Sequence, residues 1–152
     1  MSFDRSYKGK YTLKNPQKYL GDKENVVYRS LWERKLCKYF DMNPNVLEWA
    51  IEPFSIPYYN PMDGKNHNYW IDFWIKIRDK KGVISEKLVE VKPFKYTQPP
   101  KAPKNERKRK QYLKEMELWV KNNSKWGAAK NLCETKKWDF LIITEKNLFK
   151  NE

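Results

Sequence analysis

The rhythm of apolar and polar positions divides this chain into elements before any chemistry is considered. Residues 1–25 are polar, basic and aperiodic, and read as an N-terminal arm that orders on contact. From Tyr28 the rhythm becomes helical, with Leu31, Trp32, Leu36, Tyr39 and Phe40 recurring three and four residues apart. Ser30 is placed to cap this helix, Glu33 follows three residues on as in a capping box, and Asn43-Pro44 should end it. Three extended segments follow. Leu47 to Tyr59 is interrupted by Pro53 and Pro57, Tyr69 to Ile77 follows the turn at residues 60–64, and Ile84 to Lys92 follows Asp79-Lys80-Lys81-Gly82. They predict a three-stranded meander.

Pro93, Pro99, Pro100 and Pro103 then hold the chain extended and withhold backbone donors, as befits a connector. Tyr112, Met116, Trp119 and Val120 line one face of a helix from Asn105 to about Asn122, and a further helix capped by Ser124 carries Trp126, Ala129, Leu132 and Cys133. Trp138 to Thr144 reads as a short buried strand. A strand, a helical crossover and another strand imply parallel pairing, so the expected fold is α/β, ordered α-β-β-β-α-α-β around one mixed sheet.

Composition narrows the class. The 152 residues suit one domain, so residues 26–152 are taken as a single unit after the arm. With 39% hydrophobic and 16% aromatic residues, the chain can offset its ordering entropy, which excludes wholesale disorder. Apolar runs fall far short of the roughly 20 residues that span a bilayer, so no membrane partner is expected. Cys37 and Cys133 belong to no zinc-binding spacing and read as two buried thiols in a reducing compartment. The net charge of +13 points to a polyanionic partner, and nucleic acid is the commonest.

Candidate chemistry lies in the acids. Glu-x-Lys occurs at Glu33/Lys35, Glu90/Lys92, Glu106/Lys108 and Glu134/Lys136, but only the second copy lies on an expected strand. There the two-residue period puts Glu90 and Lys92 on one face with Leu88. On the preceding strand Trp70, Asp72, Trp74 and Lys76 lie opposite an apolar face of Tyr69, Ile71, Phe73, Ile75 and Ile77. A three-residue turn centred on Lys81 sets Asp72 directly across from Glu90, whereas a two-residue turn would put them on opposite faces. Directly opposed, their Cα atoms would be about 4.5–5.5 Å apart, and two such like charges require a cation between them. Lys92 or a divalent metal could serve, and oxygen ligands with retained waters suit magnesium or manganese. Glu33, at the border of the first helix's packed face, is either a third site carboxylate or simply a capping-box residue.

An ion held by carboxylates, with an ammonium beside it, has the parts that phosphodiester hydrolysis needs. Lys101, Lys104, Arg107, Lys108, Arg109 and Lys110, opposed only by Glu106, could track a DNA backbone. The alternative is a solvated helix start, although positive charge at a helix N-terminus opposes the macrodipole and invites an anion.

Tyr28-Arg29-Ser30-Leu31-Trp32-Glu33, Ile51-Glu52-Pro53-Phe54-Ser55-Ile56-Pro57-Tyr58, Tyr69-Trp70-Ile71-Asp72-Phe73 and Val89-Glu90-Val91-Lys92-Pro93 resemble the PD-(D/E)xK nuclease superfamily. More narrowly, the chain is similar to the head completion nucleases of T4-like tailed phages. The likeness continues through Thr97-Gln98-Pro99-Pro100, Lys125-Trp126-Gly127-Ala128-Ala129 and Phe140-Leu141-Ile142-Ile143-Thr144-Glu145. It implies a restriction-endonuclease-like α-β-β-β-α-β core with an extra C-terminal helix, filling residues 26–152. It also implies a magnesium-dependent DNA endonuclease, with manganese as substitute and room for exonuclease action, that processes packaged DNA so that heads can join tails. Its partners would be double-stranded DNA and head or portal-proximal proteins, in the infected-host cytoplasm or on the virion. Matched by position, Asp72 and Glu90 would be metal ligands with the Val91 main-chain carbonyl, Lys92 the catalytic lysine and Glu33 the helix-borne acid. Ile71 stands where the signature has proline. The alternatives are a non-catalytic DNA-binding connector on the same scaffold, and an endonuclease of a transposase or of host-DNA degradation.

Overall fold

The computed structural model describes residues 8–149. The helical rhythm after Ser30 becomes α1 (Leu31–Met42), with Ser30 Oγ accepting the Glu33 amide at 3.2 Å and Asn43 closing the end. Its buried stripe is Trp32, Glu33, Leu36, Cys37, Phe40 and Asp41, while Tyr39 points to solvent at 54% exposure. The expected face was thus turned by a fraction of a helical step, which carries Glu33 from the border of the stripe into the interior.

The segment Leu47 to Tyr59 is two strands, β3 (Val46–Ile51) and β4 (Ser55–Asn60). The next segment is likewise divided, into β5 (Lys65–Trp70) and β6 (Phe73–Arg78), and is followed by β7 (Ile84–Val91). Both strands leave the sheet at the same level. Glu52, before Pro53, adopts φ 44°, and its amide donates to the Asp72 carbonyl at 2.9 Å. Proline cannot continue the ladder, so beyond this corner β4 and β5 pair only with each other, as an antiparallel ribbon. Asp72 sits on the corner rather than inside a strand.

β3 and β7 flank β6, and each pairs with it antiparallel. The turn between β6 and β7 is the three-residue one: Arg78 pairs with Ile84, the Asp79 amide bonds the Val83 carbonyl, and Gly82 takes the left-handed position at φ 84°. The order is completed by β8 (Asp139–Ile143) parallel to β7, giving the mixed sheet β3-β6-β7-β8, and by a short α3 (Glu145–Leu148).

Two expected helices are one. α2 runs unbroken from Arg109 to Lys136, through Asn122-Asn123-Ser124 and Gly127. The buried stripe Asn122, Trp126, Ala129, Cys133 keeps helical spacing across the expected break. Burial of that stripe outweighs capping preferences of about 1 kcal/mol. Asn123 instead bonds the Trp119 carbonyl one turn back, at 2.8 Å. α1 covers one sheet face, with the Phe40 ring 5.1 Å from Phe73 and 6.2 Å from Trp49. α2 covers the other. Both cysteines are buried free thiols.

The arm also needs correction. Residues 1–7 lie outside the described residues, but residues 8–25 are packed onto the body. β1 (Gly9–Lys10) pairs with β2 (Val27–Tyr28), and Tyr19 is buried with its ring 4.8 Å from Trp49. Asp41, fully buried, accepts the Tyr11 hydroxyl at 2.8 Å and the Lys14 and Asn15 amides at 2.7 and 3.0 Å. Lys18 Nζ donates to the Phe40, Asp41 and Asn43 carbonyls at the end of α1, where the helix dipole favours a cation. These bonds are made by single polar residues without periodicity, which is why the hydrophobic pattern missed them. Asp41→Ala removes the buried acceptor of three part-buried donors and is expected to cost about 2 kcal/mol in urea unfolding. A change under 1 kcal/mol would show that residues 8–25 contribute little to the fold.

Candidate active site

The β6–β7 ladder, running Arg78↔Ile84 to Phe73↔Val89, extends by one step to set Asp72 beside Glu90 on the α2 side of the sheet. Both are buried, at 8% and 5% exposure. Their positions come from backbone causes: the corner at Glu52 releases Asp72 from the ladder, and β7 delivers Glu90 at its buried end. Asp72 Oδ2 accepts the Val91 amide at 2.7 Å, and Glu90 Oε2 accepts the Trp126 indole N–H at 3.0 Å. Burial, followed by the facing charge of Glu90, pushes the Asp72 carboxyl well above its ordinary value of 3.8. Glu33 adds a weaker negative field in the same direction.

This donor set fits a hard cation. Two buried carboxyls set against each other leave a second negative charge without a counterion. A divalent ion held between them would relieve the repulsion. No group of three or more His, Cys, Asp or Glu among the described residues is gathered for a metal, so the pair would complete such a site with main-chain oxygen and water.

Lys92, half-buried, follows Glu90 by one strand period, and its backbone amide is tied to the Ile143 carbonyl at 3.0 Å. Glu33, on α1, is near enough for its charge to act on Asp72. It is buried at 1% exposure, and its Oε2 accepts the Arg29 amide at 3.2 Å, one residue earlier than a capping box would reach. It therefore does the capping work while its charge is felt at Asp72. Arg29 in turn clamps Glu52 through Nε and Nη2 at 2.8 and 3.3 Å. Arg29 and Glu52 thus brace the corner that carries Asp72, a role invisible in the sequence because it depends on a left-handed backbone at a glutamate. Val91 gives its amide to Asp72.

Two further residues come from α2. Trp126 fixes Glu90. Lys125 places its ammonium 5.4 Å from the Tyr69 ring and 6.0 Å from the Tyr58 ring. Burial, then the neighbouring cations Lys121 and Lys92, lowers its pKa, against the pull of Glu90 and Asp72. The Lys125 ammonium therefore lies within the field of the acid pair. Tyr69, on the same side, has its hydroxyl pKa raised by burial and by the fields of Glu90 and Asp72. The signal for Trp126 was its place on the apolar stripe with Ala129 and Cys133; Lys125 lies beside that stripe and carried no such signal. Lys101, Lys104, Arg107, Lys108, Arg109 and Lys110 are all exposed, on the extended approach and first turns of α2.

Residues 43–145 match the family model described as TnsA-like endonuclease N terminal. Over 145 residues, 94% of each chain, the sequence is 38% identical to the "Head completion nuclease" of Enterobacteria phage T4. The matched span holds Asp72, Glu90 and Lys92 but not Glu33.

Proposed function

The chain belongs to the TnsA-like endonuclease family, and from that premise we propose that it is a metal-dependent DNA endonuclease of phage head completion, acting on packaged DNA so that heads can join tails. The observation that carries this reading is the buried Asp72–Glu90 pair, braced by Val91 and Trp126, with Lys92 one strand period beyond Glu90. A protein that only gripped DNA would have no use for two facing buried acids, whose mutual repulsion weakens the fold.

In this reading Asp72, Glu90 and the Val91 carbonyl hold the ion, magnesium in the cell with manganese as substitute. Bound there, a divalent ion polarises the phosphoryl oxygen and makes water a better nucleophile at neutral pH. The protein does the rest by position. Val91 N–H and Trp126 N–H fix one oxygen of each acid, leaving the others to converge. Lys92 orients the attacking water and offsets negative charge as it grows on the phosphorane oxygens. Hydrolysis adds water across one phosphorus–oxygen bond, leaving a phosphate on one end and a hydroxyl on the other. Glu33 is the helix-borne acid of the site, its charge felt at Asp72, and the Arg29–Glu52 clamp acts through the backbone that carries Asp72. The exposed cations from Lys101 to Lys110 hold the phosphate backbone by charge, with affinity falling as salt rises. Head or portal-proximal proteins would bring the enzyme to its substrate.

Plasmid nicking tests the activity. Supercoiled DNA should be relaxed and linearised with magnesium or manganese and left intact with EDTA. No cleavage by pure protein under any divalent condition would overturn the enzyme reading and leave a DNA-gripping connector. Particles lacking the protein should accumulate as filled heads without tails.

A further inference from the structure

Between the connector that follows Lys92 and α2 lies a cavity that the chemistry above does not use. The connector after Lys92 turns through Phe94–Thr97, runs on through Pro99 and Pro100, and lies over the first half of α2. Between them is a space of about 440 Å³, within the roughly 300–1,000 Å³ of small-ligand sites. Its aromatic walls are Phe94, Tyr96 and Trp119. Asn122 lines it as well and is buried at 1% exposure, and among the described residues its amide nitrogen has no hydrogen-bond partner. A buried unmatched donor costs about 1–3 kcal/mol, which an incoming acceptor would recover.

We propose that this cavity takes one unpaired nucleotide of the DNA substrate. The proposal deepens the nuclease reading and rests on it. Three features choose this occupant. Flat aromatic walls suit a base, because every base has a π-face to stack. Asn122 offers an N–H, and all four bases carry a carbonyl or ring-nitrogen acceptor, so recognition would be tolerant of sequence. Lys101 on the rim begins the basic run that ends at Lys110, and Lys95 stands by the Tyr96 ring at 5.7 Å. Glu115, 3.8 Å from Lys95 Nζ, offsets part of that charge, so the phosphate falls to Lys101. Continuity with the acids is direct. Asn122 lies one helical turn before Trp126, the residue that holds Glu90, and Phe94 follows Lys92 by two residues. A strand passing from the basic run to the acid pair therefore crosses the cavity, and a base freed from pairing at an end or a flap would drop into it.

The test uses the full chain in EDTA, so that binding is read without cleavage. Three duplexes are compared: blunt, with a short single-stranded overhang, and with the same overhang stripped of its bases. The base-bearing overhang should bind about ten-fold more tightly than the abasic one, as one base stacked on one ring would give, and 2-aminopurine in the overhang should be quenched. Trp119→Phe should keep this preference, and Trp119→Ala should reduce it below two-fold. Equal affinity of the wild-type chain for all three duplexes overturns the proposal, and so does a preference that survives Trp119→Ala. Because the wild-type comparison needs no variant, poor folding of Trp119→Ala leaves the test intact. Failure here with magnesium-dependent nicking intact removes the nucleotide site alone; loss of nicking removes the nuclease reading.

Discussion

Asp72→Asn is expected to abolish DNA cleavage, by about 10³-fold or more, and to raise the melting temperature of the metal-free protein. The two effects have one cause. Amide and carboxyl have nearly the same shape, so the Val91 amide keeps an acceptor, but the charge that a cation requires is gone. The loss of turnover is at least that of removing a group which stabilises developing charge. The thermal effect follows from linkage. Burial and the facing Glu90 raise the Asp72 carboxyl above 3.8, so above that pH the folded chain holds a proton that the unfolded chain has released. Stability without metal is then greatest below pH 3.8 as far as this group is concerned, and falls as pH rises towards the folded value. Asparagine removes that slope. At pH 7.5 in EDTA the variant should melt about 3 °C higher, the shift that roughly 1 kcal/mol makes in a domain of this size. Divalent ions should stabilise the wild type by about 2.7 kcal/mol at one hundred times the dissociation constant, raising its midpoint, and leave Asp72→Asn unmoved. A variant that melts lower in EDTA, or still responds to magnesium, would mean that the pair is not a cation site.

How much of this was legible in the sequence depended on what each feature is made of. The opposition of Asp72 to Glu90 needed only side-chain alternation and a turn length, both local properties, and the three-residue turn with Gly82 left-handed delivers it. The corner at Asp72 was not legible. It arises because β5 leaves the sheet with β4, and the residue that permits it, Glu52, adopts a backbone that its side chain disfavours. The burial of Glu33 was hidden by a small error in helical phase, for which Tyr39 was the misleading apolar residue. Length in α2 was hidden by Asn122-Asn123-Ser124, a cap-like sequence overruled by burial of the stripe that includes Asn122 itself. In each case a weak local preference gave way to a tertiary contact with a distant part of the chain. The basic run from Lys101 to Lys110 was legible as charge and stays so as structure, because nothing in the fold covers it.

Lys92→Met should separate chemistry from ion binding. The methionine keeps the stem of the side chain and removes the ammonium, so β7 and its amide bond to Ile143 should be undisturbed. Cleavage is expected to fall by about 10²–10³-fold, the loss seen when one positioned donor is taken from a developing oxyanion. The rise in melting temperature with magnesium should persist, because Asp72 and Glu90 remain and a neighbouring positive charge has been withdrawn. Arginine should not rescue, since its planar fork cannot present charge to a water as a compact ammonium does. Lys125 makes the experiment sharper. Its ammonium feels the charges of Lys92, Glu90 and Asp72, so one lysine could stand in for its neighbour. If Lys92 alone serves the reaction, Lys125→Met should cost about ten-fold or less, through weaker attraction of the phosphate. Nearly full cleavage by Lys92→Met, with deep loss in Lys125→Met, would instead move the reacting ammonium from the strand to the helix. Loss of the magnesium response in Lys92→Met would assign that lysine to holding the site together rather than to the reaction.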